Sequence, residues 1–315
     1  MSTIGFDTSN YTTSTAWTDG KTDINVRQIL YVKDGERGIR QSDGVFQHMK
    51  LMPVMYEKLS EQIDFKDVKA VGVSTRPRCV EGSYMPVFLA GEGYAKVVAN
   101  TLGVPLYEFS HQDGHIMAGI YSSGSFELLE NDFISVHLSG GTTEILKSRY
   151  NGFNFDNEII GGSKDISAGQ FIDRVGVKMG LHFPAGKALE QLALKAEKGE
   201  KLPIAVDGAY MNFSGVETKA SRMAESEKCD KSALALGVLE NVRDTLVKTI
   251  NKAMTDTNTH RVLIVGGVAS NGIIRNGLTK KLDGDVYFAK AEYSTDNAVG
   301  IAYLAHLAHL AHKEA

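Results

Sequence analysis

The sequence predicts an α/β protein built from two copies of one domain. Each half opens on two short β-rich runs around a small polar turn, adds a third strand, and then alternates helical and strand patterns. The turns match in character: Asp7-Thr8-Ser9-Asn10 in the first half and Ser139-Gly140-Gly141-Thr142 in the second. Such turns offer backbone N–H groups and hydroxyls, so a pair in register is expected to clamp a polyphosphate between the halves. Two ordinary hairpins would look the same one at a time, since these residues are common turn formers.

In the first half, IGFDTSN and TTSTAWT are strands and INVRQILYV is a third. Helical spacing of apolar residues makes VFQHMKLMPVMYEKLSEQI a helix. VKAVGVST is a buried strand, MPVFLAGEGYAKVVANTLG a helix, VPLYEFS a strand and GHIMAGIYSS a helix. In the second half, FISVHLSG and TTEILKSRY flank a Gly-Gly turn, FNFDNEII follows, and helices run from about Asp165 to Ala224. SALALGVLENVRDTLVKTINKAM is a long helix, RVLIVGG a parallel-type strand, SNGIIRNGLTKKL a helix and DNAVGIAYLAHLAHLAHK the last helix. The expected domains are 1–130, 131–293 with a helical insertion at about 165–225, and a C-terminal helix at 294–315 packing back on the first domain.

Composition narrows the class. A 315-residue chain with 43% hydrophobic and 23% charged residues is expected to be soluble, globular and able to bury a large core. It has no run of 18 apolar residues, and MSTIGFDTSN lacks a basic region followed by a hydrophobic one, so no membrane or export is expected. Cys79 and Cys229 form no CxxC pair, which fits a reducing cytosol and a cytoplasmic protein. With 34 Lys and Arg against 38 Asp and Glu, any nucleic-acid contact is expected to be small or shared with a partner protein.

His111-Gln-Asp-Gly-His115 is the sharpest motif. Histidines four apart at a helix start share one face and can close on one ion, with a carboxylate completing a facial triad. Alone such a pair more often lies on a solvated face. Val265-Gly266-Gly267-Val268-Ala269-Ser270-Asn271 follows an aliphatic strand and opens a helix, where glycines let the backbone approach a ligand. Tight strand-to-helix packing needs the same glycines. Asp173 can contact a ribose hydroxyl or be a solvated helix charge. His306, His309 and His312 read as a polar stripe on the terminal helix, outside the site.

Taken in order, these segments resemble the TsaD (glycoprotease, peptidase M22-like) family of the actin-like ATPase (ASKHA) superfamily. Gly5-Phe6-Asp7-Thr8-Ser9 stands where the family has GIETS, and His48, Leu51 and Pro53 match HxxxLxP. His111-Gln-Asp-Gly-His115 matches HxxGH, Ser139 to Thr143 stands for SGGHT, and Thr295-Asp296-Asn297-Ala298 matches CTDNAA. Asp165, Ala168-Gly169 and Asp173 fall on DDAAGEAFDK, Gly180-Leu181 with Pro184 to Gly186 on GLxYPGG, Asn212 to Gly215 on FSFSGLKT, and Gly266 to Asn271 on GGVAAN.

The resemblance implies two duplicated actin-like (RNase H-like) domains with a cleft between them. It implies metal binding by His111, His115 and Asp296, with iron expected first and zinc second. It implies that His137, Leu138, Ser139, Gly140, Gly141, Thr142, Asp173, Gly186, Glu190 and Asn271 surround an adenine nucleotide, threonylcarbamoyl-AMP or ATP. The implied reaction moves a threonylcarbamoyl group to a tRNA adenosine next to the anticodon, with partner proteins sharing the tRNA and a heterodimer with a paralogue as one arrangement. No residue is assigned as catalytic acid, base or nucleophile.

The chain also departs from the pattern. Arg76-Pro77-Arg78 replaces glycine-proline-glycine, Thr142 the SGGHT histidine, Ile166 one acid of the Asp-Asp pair, and Tyr11-Thr12 an acidic pair. A divergent relative or paralogue is therefore expected. Two alternatives follow: a carbamoyl or phosphoryl transferase acting on a small anionic metabolite gripped by the arginines, or a non-catalytic partner of a true synthase. A metallopeptidase is the weakest reading, because HxxGH lacks the glutamate of HExxH, although Asp113 lies between the histidines.

Overall fold

A computed structural model describes residues 1–32 and 39–314. The chain divides into two compact units. The first comprises Met1–Glu127, Tyr150–Asp156 and Thr295–Ala315, and the second Leu128–Arg149 and Asn157–Ser294.

In the first unit the strands β1 (Ser2–Thr8), β2 (Thr12–Thr18) and β3 (Asp23–Ile29) form the expected meander. Then come α1 (Gln41–Ser60), β4 (Val68–Arg76), α2 (Phe88–Leu102), β5 (Leu106–Ser110) and α3 (His111–Ser123). The sheet order is β3-β2-β1-β4-β5, with β1, β4 and β5 parallel. Every residue of β1 is buried, because the sheet is covered on both faces. Ile4 and Phe6 cluster with Met52, Leu59, Ala95 and Ala99 of α1 and α2. On the opposite face of the pleat, a Cβ on Gly5 would stand 2.5 Å from the Ala298 carbonyl oxygen.

The second unit contains β6 (Phe133–Leu138), β7 (Thr143–Tyr150, its last residue belonging to the first unit), β8 (Phe155–Ser163), α4 (Ala168–Lys178) and α5 (Gly186–Ala193). It continues with β9 (Val206–Asp207), β10 (Tyr210–Met211), α6 (Ser214–Ala224), α7 (Lys231–Thr257), β11 (Arg261–Val265), α8 (Gly272–Lys281) and β12 (Asp285–Phe288). The segment expected to be all helix thus also carries two short strands, which extend the sheet order to β12-β11-β6-β7-β8-β10-β9. The apolar faces of α4 to α8 bury one core against that sheet.

The chain's last helix, α9 (Val299–Glu314), belongs to the first unit and lies against β1, β4 and α3. Small residues let it come close. A Cβ on Gly300 would collide with the Gly114 carbonyl oxygen of α3, so glycine is required at this crossing.

Candidate metal centre and nucleotide-facing residues

The crossing of α3 and α9 brings together His111, His115 and Asp296 within the first unit. Ser110 starts α3 as its N-cap, with Asp113 completing a capping box: Asp113 N–H donates to Ser110 Oγ at 3.1 Å, and Ser110 N–H to Asp113 Oδ2 at 3.0 Å. Asp113 is fully buried, its carboxyl raised by that burial, and its Oδ1 accepts from Phe155 N–H. The acid between the histidines is thus part of the helix start.

His111 Nε2 lies 3.0 Å from His115 Nε2, and Asp296 Oδ1 lies 3.6 and 3.3 Å from the two nitrogens. These three are the one group of at least three metal-capable side chains found within mutual reach among the described residues. Two imidazole nitrogens and a carboxylate oxygen suit a divalent iron, zinc or manganese ion. Bond lengths of about 2.0–2.2 Å place neighbouring donors ~3.0–3.5 Å apart, close to the 3.0, 3.3 and 3.6 Å found here, so the residues fit an ion.

The surroundings make the centre cation-seeking. His111 Nδ1 lies 2.7 Å from Asp7 Oδ2, and Asp296 Oδ2 accepts from Ser9 Oγ at 2.8 Å. Burial pulls the His111 imidazole down, but Asp7 and Asp296 outweigh it and push the ring up to about 10. Burial raises Asp296, and the two imidazoles overcome it, holding the carboxyl well below its usual range. A field that favours a proton here favours a metal dication in its place.

The candidate site residues leave out the neighbours that hold this arrangement. Arg27 of β3 donates to the Thr295 hydroxyl at 2.5 Å and to the Asp296 carbonyl at 3.0 Å. His48 of α1 is fully buried, with Nε2 2.8 Å from the Ser9 carbonyl and Nδ1 2.8 Å from Thr13 Oγ1. A carbonyl only accepts, so Nε2 carries the hydrogen and Nδ1 accepts from the threonine. Desolvation lowers this histidine. A usable signal was available: Asp7 lies one residue from the carboxyl end of β1, on the same sheet edge where parallel β4 and β5 end and where parallel sheets place their ligands.

The remaining candidate residues lie in the second unit. His137 and Leu138 end β6, and Ser139 to Thr142 form the β6–β7 turn. The Ser139 hydroxyl accepts from Gly141 and Thr142 N–H groups, closing the turn. The α4 N-terminus sits on it: Ser167 Oγ donates to the Gly140 carbonyl, and Ala168 N–H to Thr143 Oγ1. A Cβ on Gly140 or Gly141 would meet nothing within 4 Å, and neither has a positive φ. Packing and conformation therefore leave these two glycines unexplained. Gly266 differs: its φ is +102° and a Cβ would strike the Leu138 carbonyl, so it serves the strand exit.

Asp173 Oδ1 accepts from Ala185 N–H at 2.8 Å, just before Gly186 opens α5; burial raises its carboxyl against the pull of the Ala185 and Gly186 N–H groups. Asn271 caps α8 by accepting from Ile273 and Ile274 N–H, and Glu190 of α5 accepts from Gly272 N–H at 2.6 Å. A carboxylate thus already occupies the positive end of α8, which suits a neutral hydroxyl-bearing group there better than a phosphate.

Two other expectations meet the structure here. Arg76 and Arg78 are half-buried; Arg76 donates to the Thr75 hydroxyl and, at 3.7 Å, to the Cys79 sulfur. Pro77 accepts from Gln112 N–H, tying this loop to the first turn of α3. The histidine stripe of α9 is corrected: His306 and His309 are buried at 8% and 9% exposure, and only His312 is exposed, because α9 is sandwiched against the sheet.

The chain has the two-domain actin-like α/β fold. It superposes on the ADPNP-bound activator of 2-hydroxyisocaproyl-CoA dehydratase from Clostridium difficile with a TM-score of 0.56, at 16% identity, covering 100% of this chain and 98% of that one. A ROK family glucokinase from Streptomyces griseus gives 0.54 at 13% identity over 98% of this chain and 100% of that one. The profile of the TsaD family, tRNA N6-adenosine threonylcarbamoyltransferase, matches residues 37–303, and the chain belongs to that family. It is therefore a transferase. A tRNA N6-adenosine threonylcarbamoyltransferase of Thermus thermophilus is 31% identical over 317 residues, 97% of this chain and 92% of the relative. No helix among the described residues is long and apolar enough to cross a membrane.

Proposed function

We propose that this chain transfers a threonylcarbamoyl group from threonylcarbamoyl-AMP to the N6 amine of a tRNA adenosine next to the anticodon. The observation that carries the reading is the convergence of His111, His115 and Asp296 in a chain of this family. These three residues would hold one divalent ion, iron before zinc, which supplies a Lewis acid and a template for the donor. In the reaction the adenosine nitrogen forms a bond to the carbamoyl carbon, the carbon–oxygen bond to phosphate breaks, AMP leaves with that electron pair, and the amine proton departs to solvent.

The chain's own residues bind and orient. Open Gly140 and Gly141 allow the donor's phosphate to approach the β6–β7 turn, while His137, Leu138, Ser139 and Thr142 complete its wall. Asp173, Gly186, Glu190 and Asn271 offer oxygen acceptors and a close backbone for the ribose hydroxyls. The net charge of -4 argues that tRNA is gripped together with partner proteins, a paralogue of this chain among the candidates, and the reaction belongs in the cytoplasm.

A second reading rests on Arg76. Its half-buried guanidinium donates to the Thr75 hydroxyl and the Cys79 sulfur, lies in the field of the buried Asp113 carboxyl, and has the fork geometry that suits a carboxylate or phosphate of a small acceptor. One experiment separates the two. The purified protein, threonylcarbamoyl-AMP and bulk tRNA are incubated with candidate partner proteins, and the modified nucleoside is measured by mass spectrometry. Formation that disappears in the H111A/H115A variant and persists in Arg76→Gln/Arg78→Gln supports the tRNA reading. No modified nucleoside under any condition, with an anionic metabolite bound only when the arginines are intact, overturns it.

A further inference from the structure

We propose that the turn from Asp7 to Ser9 is the outer shell of the metal centre and binds no phosphate. The inference rests on the metal reading above and extends it to residues that contact the ligands but not the ion. Asp7 Oδ2 lies 2.7 Å from His111 Nδ1, and a carboxylate can only accept, so Nδ1 carries the hydrogen. With an ion in place of the Nε2 proton, the Nε2 lone pair faces His115 and Asp296. Asp7 is fully buried, and its other oxygen accepts from Ser9 N–H at 3.0 Å, so its carboxylate cannot swing away.

The same turn holds the third ligand. Ser9 Oγ donates to Asp296 Oδ2 at 2.8 Å, which leaves Oδ1 as the oxygen directed at the histidines. The Ser9 carbonyl is pinned in turn by His48 of α1. Asp7 and Ser9 therefore orient ligands from α3 and from the segment before α9, which come from distant parts of the chain. Carboxylates behind metal-bound histidines fix ring orientation and raise ligand basicity, and their loss typically weakens metal binding about 10–100-fold.

The turn between β6 and β7 of the second unit is built differently. Ser139 closes that turn on itself, the turn holds no carboxylate, and its glycines face open space. In the first unit a buried carboxylate stands at the equivalent place and would repel a phosphate. Two copies of one hairpin have thus taken different work: one orients metal ligands and the other stays open to a nucleotide.

The test is metal affinity, which needs no enzymatic turnover. Metal-free protein is titrated with Zn(II) against a chromogenic chelator, and the Co(II) absorption spectrum is recorded; circular dichroism melting checks folding. H111A/H115A should lose the site. Asp7→Ala should bind about 10–100-fold more weakly with a shifted Co(II) spectrum. Asp7→Asn, whose amide oxygen still accepts from Nδ1, should lose less, and Ser9→Ala should lose several-fold. If Asp7→Ala fails to fold, Asp7→Asn and Ser9→Ala carry the test. Wild-type affinity and spectrum in these variants, with H111A/H115A still defective, overturns the outer-shell role and leaves the metal reading intact. Undiminished binding in H111A/H115A removes the metal reading itself. An equal loss of ATP affinity in Asp7→Ala would return the turn to phosphate binding and overturn the proposal.

Discussion

Gly141 can be tested cleanly because nothing in the fold needs it to be glycine. A side chain there meets open space, and the residue has no positive φ. Gly141→Val should therefore leave the melting temperature unchanged while blocking phosphate approach. We expect adenine-nucleotide affinity, measured by calorimetry, to fall by at least tenfold; unchanged affinity would move the pocket elsewhere. Asp173→Ala is less clean, because it also removes the acceptor for Ala185 N–H, so a loss of about 1–3 kcal/mol in binding would come with reduced stability. Single residues were also where sequence reading was weakest. The histidine pair stood out through its spacing, whereas Asp7 and Ser9 reach partners 104 and 287 positions away and leave no periodic trace. Asp113 shows the converse: a conspicuous acid in the motif is committed to a capping box.

At the level of elements, the start of α6 depends on one carboxylate. Asp165 accepts from Phe213 N–H at 2.8 Å, from Ser214 N–H at 3.0 Å and from Ser214 Oγ at 2.6 Å, and also from Ile166 N–H. Burial would raise it, but these donors hold it below its ordinary value. A depressed carboxyl stabilises the fold above its unfolded pKa of ~3.9, and that contribution drains away on acidification towards the lower folded value. Asp165→Asn should cost ~1 kcal/mol at pH 7, a figure kept small because the side chain is exposed and screened. In urea unfolding at pH 3 the gap between variant and wild type should narrow; a gap that widens there would reject the account. A second element-scale prediction concerns the α3–α9 crossing. Gly300→Val should push the helices apart, destabilise the protein by about 1–3 kcal/mol and lower its metal content, read by unfolding and elemental analysis. Intact metal content in a destabilised variant would separate the crossing from the centre.

For the whole molecule, much of the architecture was legible. The hairpin, third strand and helix–strand alternation of both halves appear as expected, because each follows a local periodicity of two or 3.6 residues. The strands β9 and β10 were not legible: at two residues each they are shorter than any periodic window. Nor was the membership of Tyr150–Asp156 in the first unit, where Phe153 packs with its ring centroid 5.0 Å from that of Phe109 and Phe155 N–H donates to Asp113. The buried histidines of α9 were misread because helical spacing shows which residues share a face but not what covers it.

That first unit is interrupted in sequence, and the interruption sets a biosynthetic order. His111 and His115 are translated before the whole of the second unit, and Asp296 after it. A nascent chain that has made both histidines can offer an ion two ligands only, whereas the second unit has its whole strand set in hand before Asp296 is added. On the proposed metal reading, a three-ligand site cannot close before everything between residues 115 and 296 has been made, so a loaded centre would certify a complete second unit.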